Sequence, residues 1–341
     1  MSNNRQGWLG KKRHSIPLAA LALGLIAAVT ALLSPWPAAL LIRAVFEKGA
    51  ADTLAEMQPY APESGVDAVL DVAYGDAGSD TTLDVFSPNG EGALPTVVWI
   101  HGGAWISGDK KDVTPYVRTI ADRGYTTVSL NYTISPETTY PTALTQLNTA
   151  LAFLIENADE YRIDPSRIVI AGDSAGAQLT SQLATLVTNP DYAELVGLDP
   201  ALTSDQLRGV VLNCGIYDVS GIPDAPGIGG WGFRIALWSY IGDRDWSDHP
   251  GGVEMSTLDF VTADFPQTWI SGGNGDPLTK SQSRPLAAKL DGLGVPVTAV
   301  FYAADHEPSL PHEYQFHLDF VDARDALEST IDFLDGVTVS E

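Results

Sequence analysis

The sequence predicts an α/β domain with a mainly parallel central sheet and helices on both faces. Three observations predict it. Short β-rich runs alternate with helical patterns after residue 47. Several of the runs are unbroken apolar stretches, as expected for strands covered on both sides. Glycine-rich turns carrying reactive side chains fall at the carboxyl ends of those strands, where open parallel sheets place their ligands.

The bulk composition suits such a domain. Of 341 residues, 45% are hydrophobic and 18% charged, enough for one large core and too apolar for a disordered chain. Charge is unevenly spread. Residues 1–46 carry five Lys or Arg and no acid, hence +5; the whole chain is −24, leaving −29 on residues 47–341. An acidic body repels phosphate backbones, so no nucleic-acid partner is expected. The single cysteine, Cys214, permits no internal disulfide and lies in the apolar run Val210–Cys214, where it reads as a buried thiol.

Residues 1–14 form a basic N-terminus with Arg5, Lys11, Lys12 and Arg13. Residues 15–42 are uncharged, and Ile16–Leu33 would make an apolar helix about 27 Å long, close to a bilayer's hydrocarbon thickness. A transmembrane helix is therefore expected, with the basic end cytoplasmic and the following domain extracytoplasmic. A cleaved signal peptide and a buried helix or hairpin are the other readings, the former implying secretion. Pro35 and Pro37 should end or kink that helix. Trp36 suits the membrane interface, and Pro37–Phe46 an amphipathic stretch lying on it. Residues 43–66 read as a connecting segment and 67–341 as the folded domain.

Within that domain, strands are expected at Thr82–Phe86, Thr96–Ile100, Thr126–Tyr132, Arg167–Ala171, Gly209–Leu212, Gln267–Ile270 and Val297–Tyr302. Helical patterns fall near Val113–Asp122, Thr142–Asn157, Ala175–Val187, Ser281–Leu293 and Val321–Leu334. Residues 217–250, rich in Gly, Pro and aromatics, read equally well as an apolar cap or acyl pocket or as a core helix at Trp231–Ile241.

The strand at Arg167–Ala171 runs into Gly172-Asp173-Ser174-Ala175-Gly176 and then a helix. This is G-x-S-x-G between strand and helix, the context in which a sharp turn lifts a serine hydroxyl from the sheet edge. A helix-capping serine is the bland reading. Strand Thr96–Ile100 ends in His101-Gly102-Gly103-Ala104-Trp105. Glycines here let backbone N–H groups reach a developing oxyanion, so Gly102, Gly103 and Ala175 are the expected donors. Trp105 beside them could wall a substrate pocket, and His101 reads as structural.

An acid and then a base should follow the serine. Asp276 lies in a Gly-rich turn just beyond Gln267–Ile270, although it could simply organise that turn before Pro277. His306, His312 and His317 follow Asp276. No dinucleotide fingerprint, P-loop or H-E-x-x-H is present, so neither cofactor nor metal is expected.

These motifs, with Asn131–Glu137, Tyr140–Leu144 and Gly273–Leu278, resemble the hormone-sensitive-lipase-like branch of the α/β-hydrolases, including its bacterial carboxylesterases. The likeness covers about residues 67–338. It implies an α/β-hydrolase fold and a serine hydrolase acting on small or medium acyl esters through Ser174, Asp276 and a histidine. His312, followed by Glu313-Tyr314, resembles the family's His-Gly-Phe and stands at a family-like distance from the last helix. The extra Glu307–Pro311 in this loop leaves His306 as the alternative base. The motifs do not separate ester from amide substrates, a tethered binding protein with an inert pocket is the non-enzyme reading, and the sequence leaves the oligomeric state open.

Overall fold

A computed structural model describes residues 24, 30, 33–220, 222 and 227–339. The apolar run carrying the membrane-span expectation lies outside the described residues, apart from Gly24, Thr30 and Leu33. Among the described residues no helix is long and apolar enough to cross a membrane.

Eight strands form one sheet: β1 (Val66–Ala73), β2 (Thr82–Pro88), β3 (Leu94–Ile100), β4 (Thr126–Leu130), β5 (Ile163–Asp173), β6 (Leu207–Asn213), β7 (Gln267–Gly272) and β8 (Val297–Phe301). Their order is β1-β2-β4-β3-β5-β6-β7-β8. The pairs β1·β2 and β2·β4 are antiparallel; the rest of the sheet is parallel. The expected mainly parallel sheet with helices on both faces is thus observed.

Side chains alternate across each strand, which builds two cores from one sheet. Val98 and Ile100 of β3 join one apolar cluster; their neighbours Val97 and Trp99 join the other. The first cluster is closed by α3 (Thr142–Glu156), α4 (Ala175–Thr188) and α8 (Arg284–Gly292), through Leu147, Leu183 and Leu290 among others. The second is closed by α2 (Thr114–Ala121) and α9 (Val321–Thr338), through Val117, Ile120 and Leu334. Strand β1 was not expected from the sequence. It is an edge strand with both faces largely exposed, so its residues carry no apolar alternation.

The largest departure is α1 (Trp36–Met57). The break expected at Pro35 and Pro37 is present: helix at Leu33 stops at Ser34 and Pro35, and a new helix starts there, with Pro35 as its N-cap and Pro37 in its first turn, where a missing N–H costs nothing. The helix runs without a break through residues read as interface stretch and connecting segment. Its polarity is also turned about. Arg43 points inward, donating to Ile106 O (2.6 Å), Ser135 O (2.7 Å) and Glu137 Oε2 (2.6 Å), while Leu41 and Val45 are both 63% exposed. Ala39 and Ile42 pack against Ala104, Ile106 and Ala236, the last from α6 (Gly227–Ile241). The remaining short helices are α5 (Pro190–Val196) and α7 (Pro250–Met255).

Candidate active site

Ser174 sits between β5 and α4 with φ 49° and ψ −115°, a backbone region that non-glycine residues avoid at a cost of about 1–3 kcal/mol. The turn is held by Ser174 N donating to Asn213 O at 2.8 Å. It is also close-packed: a Cβ on Gly176 would stand 2.0 Å from Ile100 O, so helix and neighbouring strand meet only because Gly176 has none. The strain leaves the hydroxyl at the sheet's carboxyl edge, facing a cavity of about 430 Å³.

Two distant segments converge on it. His312 Nε2 lies 2.9 Å from Ser174 Oγ, and His312 Nδ1 lies 3.0 Å from Asp276 Oδ2. Asp276 is nearly buried, and its other oxygen accepts from Leu278 N at 2.9 Å, which fixes the carboxylate's orientation. Burial alone would lower the basicity of His312. Hydrogen bonds with Asp276 and Cys214 and the charges of Glu313 and Asp276 outweigh it, holding the imidazole well above its ordinary range. His306 is elsewhere: its Nε2 is 3.0 Å from Asp322 Oδ1, without the alignment of a hydrogen bond, and its ring packs on Tyr302.

The donor loop follows β3. Gly102 N donates to Asp173 Oδ2 at 2.8 Å. That corrects the expectation of Gly102 as an oxyanion donor, because its N–H is already committed. Gly103 and Ala104 line the cavity, and neither amide has an acceptor among the described residues. Ala175 N, at the first turn of α4, likewise has none. Ala104 was not expected as a donor. Its left-handed φ of 51° and that of Trp105 (59°) turn the loop sharply after Gly103. His101 is buried, stacks on Tyr132 and turns Nδ1 to Gly102 O at 2.8 Å, a structural role. Burial lowers its pKa.

Trp105 is a second correction. It is 0% exposed, stacks on Tyr240 and donates Nε1–H to Gln178 Oε1 at 3.0 Å, so it belongs to the core and not to the pocket wall. The wall is made by Val45 and Phe46 of α1, Phe233 of α6 and Phe316. Helix α6 therefore serves both readings of its segment, with Leu237 and Tyr240 in the core and Phe233 at the cavity. Besides Ser174 and His312, the polar lining includes His101, Asp112, Asp173, Glu313 and His317, with no Lys or Arg among the described residues. Burial and the charge of Asp109 push Asp112 up to about 6.

The sequence reading missed α1 as a pocket element and missed Asp112, Asp173 and Glu313. Proximity to Ser174 and His312 in sequence was the available signal for the last two. Among the described residues, two groups have ligand atoms close enough for a metal: Cys214, Asp276 and His312, and Glu56, His317 and Asp319. In the first, both His312 nitrogens already face Asp276 and Ser174. In the second, His317 Nδ1 meets Glu56 Oε2 at 2.8 Å, which ties α1 to the loop carrying His312.

A family model described as BD-FAE matches residues 83–290, a span that includes Ser174 and Asp276 and ends before His312. Esterase LipQ of Mycobacterium tuberculosis is 30% identical over 272 residues, covering 77% of this chain and 61% of LipQ. Carboxylesterase NlhH of the same organism is 30% identical over 234 residues, covering 65% of this chain and 66% of NlhH. The chain thus spans about three fifths of LipQ and just under two thirds of NlhH. Among solved structures, Esterase B from Lactobacillus rhamnosis superposes with a TM-score of 0.75 at 24% identity, covering 89% of this chain and 96% of that one. The thermostable carboxylesterase EstE1 gives a TM-score of 0.69 at 21% identity, covering 90% and 98%. Both structures share its fold.

Proposed function

The chain belongs to the BD-FAE family of α/β-hydrolases, kin to the carboxylesterases, and from that membership we propose that it is a serine carboxylesterase cleaving small or medium acyl esters. The observation that carries the proposal is the hydrogen-bonded row Ser174–His312–Asp276, with distances of 2.9 and 3.0 Å, beside the unengaged amides of Gly103, Ala104 and Ala175.

In this reading His312 Nε2 takes the Ser174 proton as Oγ attacks the acyl carbon. The oxyanion that forms is met by the free amides, each worth about 3–4 kcal/mol in comparable sites. The imidazolium returns its proton to the leaving alkoxide, and the carbonyl reforms as an acyl-enzyme. Water then repeats the cycle, releasing the carboxylic acid and restoring Ser174. Asp276 holds the His312 tautomer and stabilises its cation. A cavity of about 430 Å³ with aromatic walls suits an acyl chain of modest size.

We further infer that the catalytic domain is extracytoplasmic and held at a membrane by the N-terminal segment. Support comes from the basic cluster before the apolar run and from the outward apolar residues Leu40 and Leu41 of α1. Secretion after signal cleavage is the competing outcome.

Labelling with a fluorophosphonate probe tests the nucleophile: the wild type should label and Ser174→Ala should not. Labelling that survives the substitution refutes the assignment. Matched ester and amide substrates test the reaction class, with faster amide turnover counting against an esterase. Protease accessibility on intact cells tests the topology.

A further inference from the structure

Asp173 precedes the nucleophile and Glu313 follows the base. Asp173 is 3% exposed, and both its oxygens are engaged: Oδ1 accepts from Trp99 Nε1 at 2.7 Å and Oδ2 from Gly102 N at 2.8 Å. Glu313 brings a second carboxyl beside the first, both crowding the same point next to Gly102. Ionised carboxylates are acceptors only, so a hydrogen bond between two of them requires that one proton be kept. The approach is tight. A Cβ on Gly102 would stand 2.4 Å from Asp173 Oδ2 and 2.9 Å from Glu313 Oε1, so glycine is needed there for contact and not for donation. Glu313 also holds a left-handed φ of 58°, a conformation disfavoured by about 1–2 kcal/mol for a side chain of its kind. Something must offset that strain.

We propose that Asp173 and Glu313 form a proton-sharing carboxyl pair that latches the donor loop to the base loop, making Glu313 a positioning residue for Gly103, Ala104 and His312. The proposal rests on the serine-hydrolase reading above. With the proton held, a continuous chain runs from Gly102 N–H through Asp173 to Glu313, across three segments that must keep register during acyl transfer. Release of the proton to solvent leaves two like charges side by side in the cavity lining. They part, and the donor loop loses its tether to His312, whose Nε2 is 3.8 Å from Glu313 Oε1.

The surroundings isolate this titration. Burial and the charge of Glu313 raise Asp173 well above the usual carboxyl range. Tyr116 from α2, Tyr132 beyond β4 and Cys214 beyond β6 are all pushed up by burial and stay neutral, and burial keeps His101 neutral too. Asp112 across the cavity, pushed up to about 6, is ionised before the alkaline range begins. That leaves His312 and the pair itself.

The experiment is the pH profile of kcat and KM on one neutral ester for the wild type, Glu313→Ala and Glu313→Gln. Wild-type kcat should fall on the alkaline side while the protein remains folded by circular dichroism. Glu313→Ala should lose at least tenfold in kcat with little change in KM. The Gln amide donates to Asp173 at every pH, so Glu313→Gln should recover most of that loss and abolish the alkaline fall. Infrared spectra of the wild type give a variant-free check: a protonated-carboxyl band should persist above neutral pH and vanish with kcat. Superimposable profiles for wild type and Glu313→Gln, or no such band, overturn the latch. Fluorophosphonate labelling run alongside separates the two failures, since absence of labelling refutes the hydrolase reading itself.

Discussion

His312 Nε2 stands 2.9 Å from Ser174 Oγ across 138 positions of sequence. The inserted Glu307–Pro311 does not displace it, because the base loop is pinned to the acid's turn: Leu310 N donates to Asn274 Oδ1 at 2.9 Å and Gly275 N to Leu310 O at 2.9 Å. The two candidate bases therefore make opposite predictions. His312→Ala should lower kcat by about 10³-fold or more, as for removal of a triad base. His306→Ala should leave kcat within a few fold, since its ring meets Asp322 and Tyr302. Steady-state kinetics of the two variants decide the matter.

The acid limb of the pH profile should lie higher than an ordinary imidazole would give. Catalysis needs neutral His312, and hydrogen bonds with Asp276 and Cys214 favour its cation over the opposing effect of burial. Activity is thus lost as pH falls through that raised pKa. Asp276→Asn removes the main stabilising partner, so the limb should move to lower pH while kcat drops. A limb that stays in place in the variant would assign the titration to another group.

Gly176→Ala probes the close approach behind the nucleophile. The added methyl would meet Ile100 O at 2.0 Å, and backbone cannot yield as a side-chain tip can. A loss of about 1–3 kcal/mol in unfolding free energy is expected from overpacking, with kcat falling as Ser174 shifts. Urea denaturation of the variant measures the first effect and initial rates the second.

The parts of the molecule read correctly from sequence are those where chemistry and periodicity coincide. The runs Thr96–Ile100 and Gln267–Ile270 appear as β3 and β7 because each is buried on both faces and so reads as unbroken apolar sequence. The turn at Ser174 carries glycines whose spacing answers a steric need visible in the chain itself. Residues placed by tertiary contact were not legible in this way. Gly102 looked like a donor because nothing in a sequence shows that Asp173, 71 positions away, has claimed its N–H. Trp105 looked like a pocket wall because its partners Tyr240 and Gln178 come from other elements. Helix α1 was obscured by its inverted polarity: with Arg43 inward and Leu41 outward, a hydropathy reading assigns its faces the wrong way round.

That inversion makes Arg43 one of the fastening points of α1, alongside Glu56 with His317. Its guanidinium reaches two carbonyls and Glu137, whose carboxyl it holds below the usual range. Arg43→Ala should loosen the wall formed by Val45 and Phe46. KM should rise roughly tenfold, equivalent to ~1.4 kcal/mol, with kcat at saturation changed far less. Arg43→Lys should recover only part of the loss, because an ammonium cannot span all three acceptors in one plane. Equal falls in kcat and kcat/KM would instead mean that α1 acts on the chemical step.

The cavity's charge sets a last expectation. Asp112, Asp173 and Glu313 line it, with no Lys or Arg beside them among the described residues. A neutral ester should therefore be preferred to one whose acyl or alcohol part carries a carboxylate. One like charge at about 8 Å and an effective dielectric near 20 costs ~2 kcal/mol, or more than tenfold in kcat/KM. Asp112 is pushed up to about 6 by burial and by Asp109. Discrimination against the anionic ester should consequently weaken as pH falls through 6. It should also weaken in Asp112→Asn and with added salt, which screens a charge at the solvent-open side of the cavity. Anionic and neutral esters turned over alike at pH 8, or a preference indifferent to both salt and Asp112, would show that these carboxyls do not face the bound substrate.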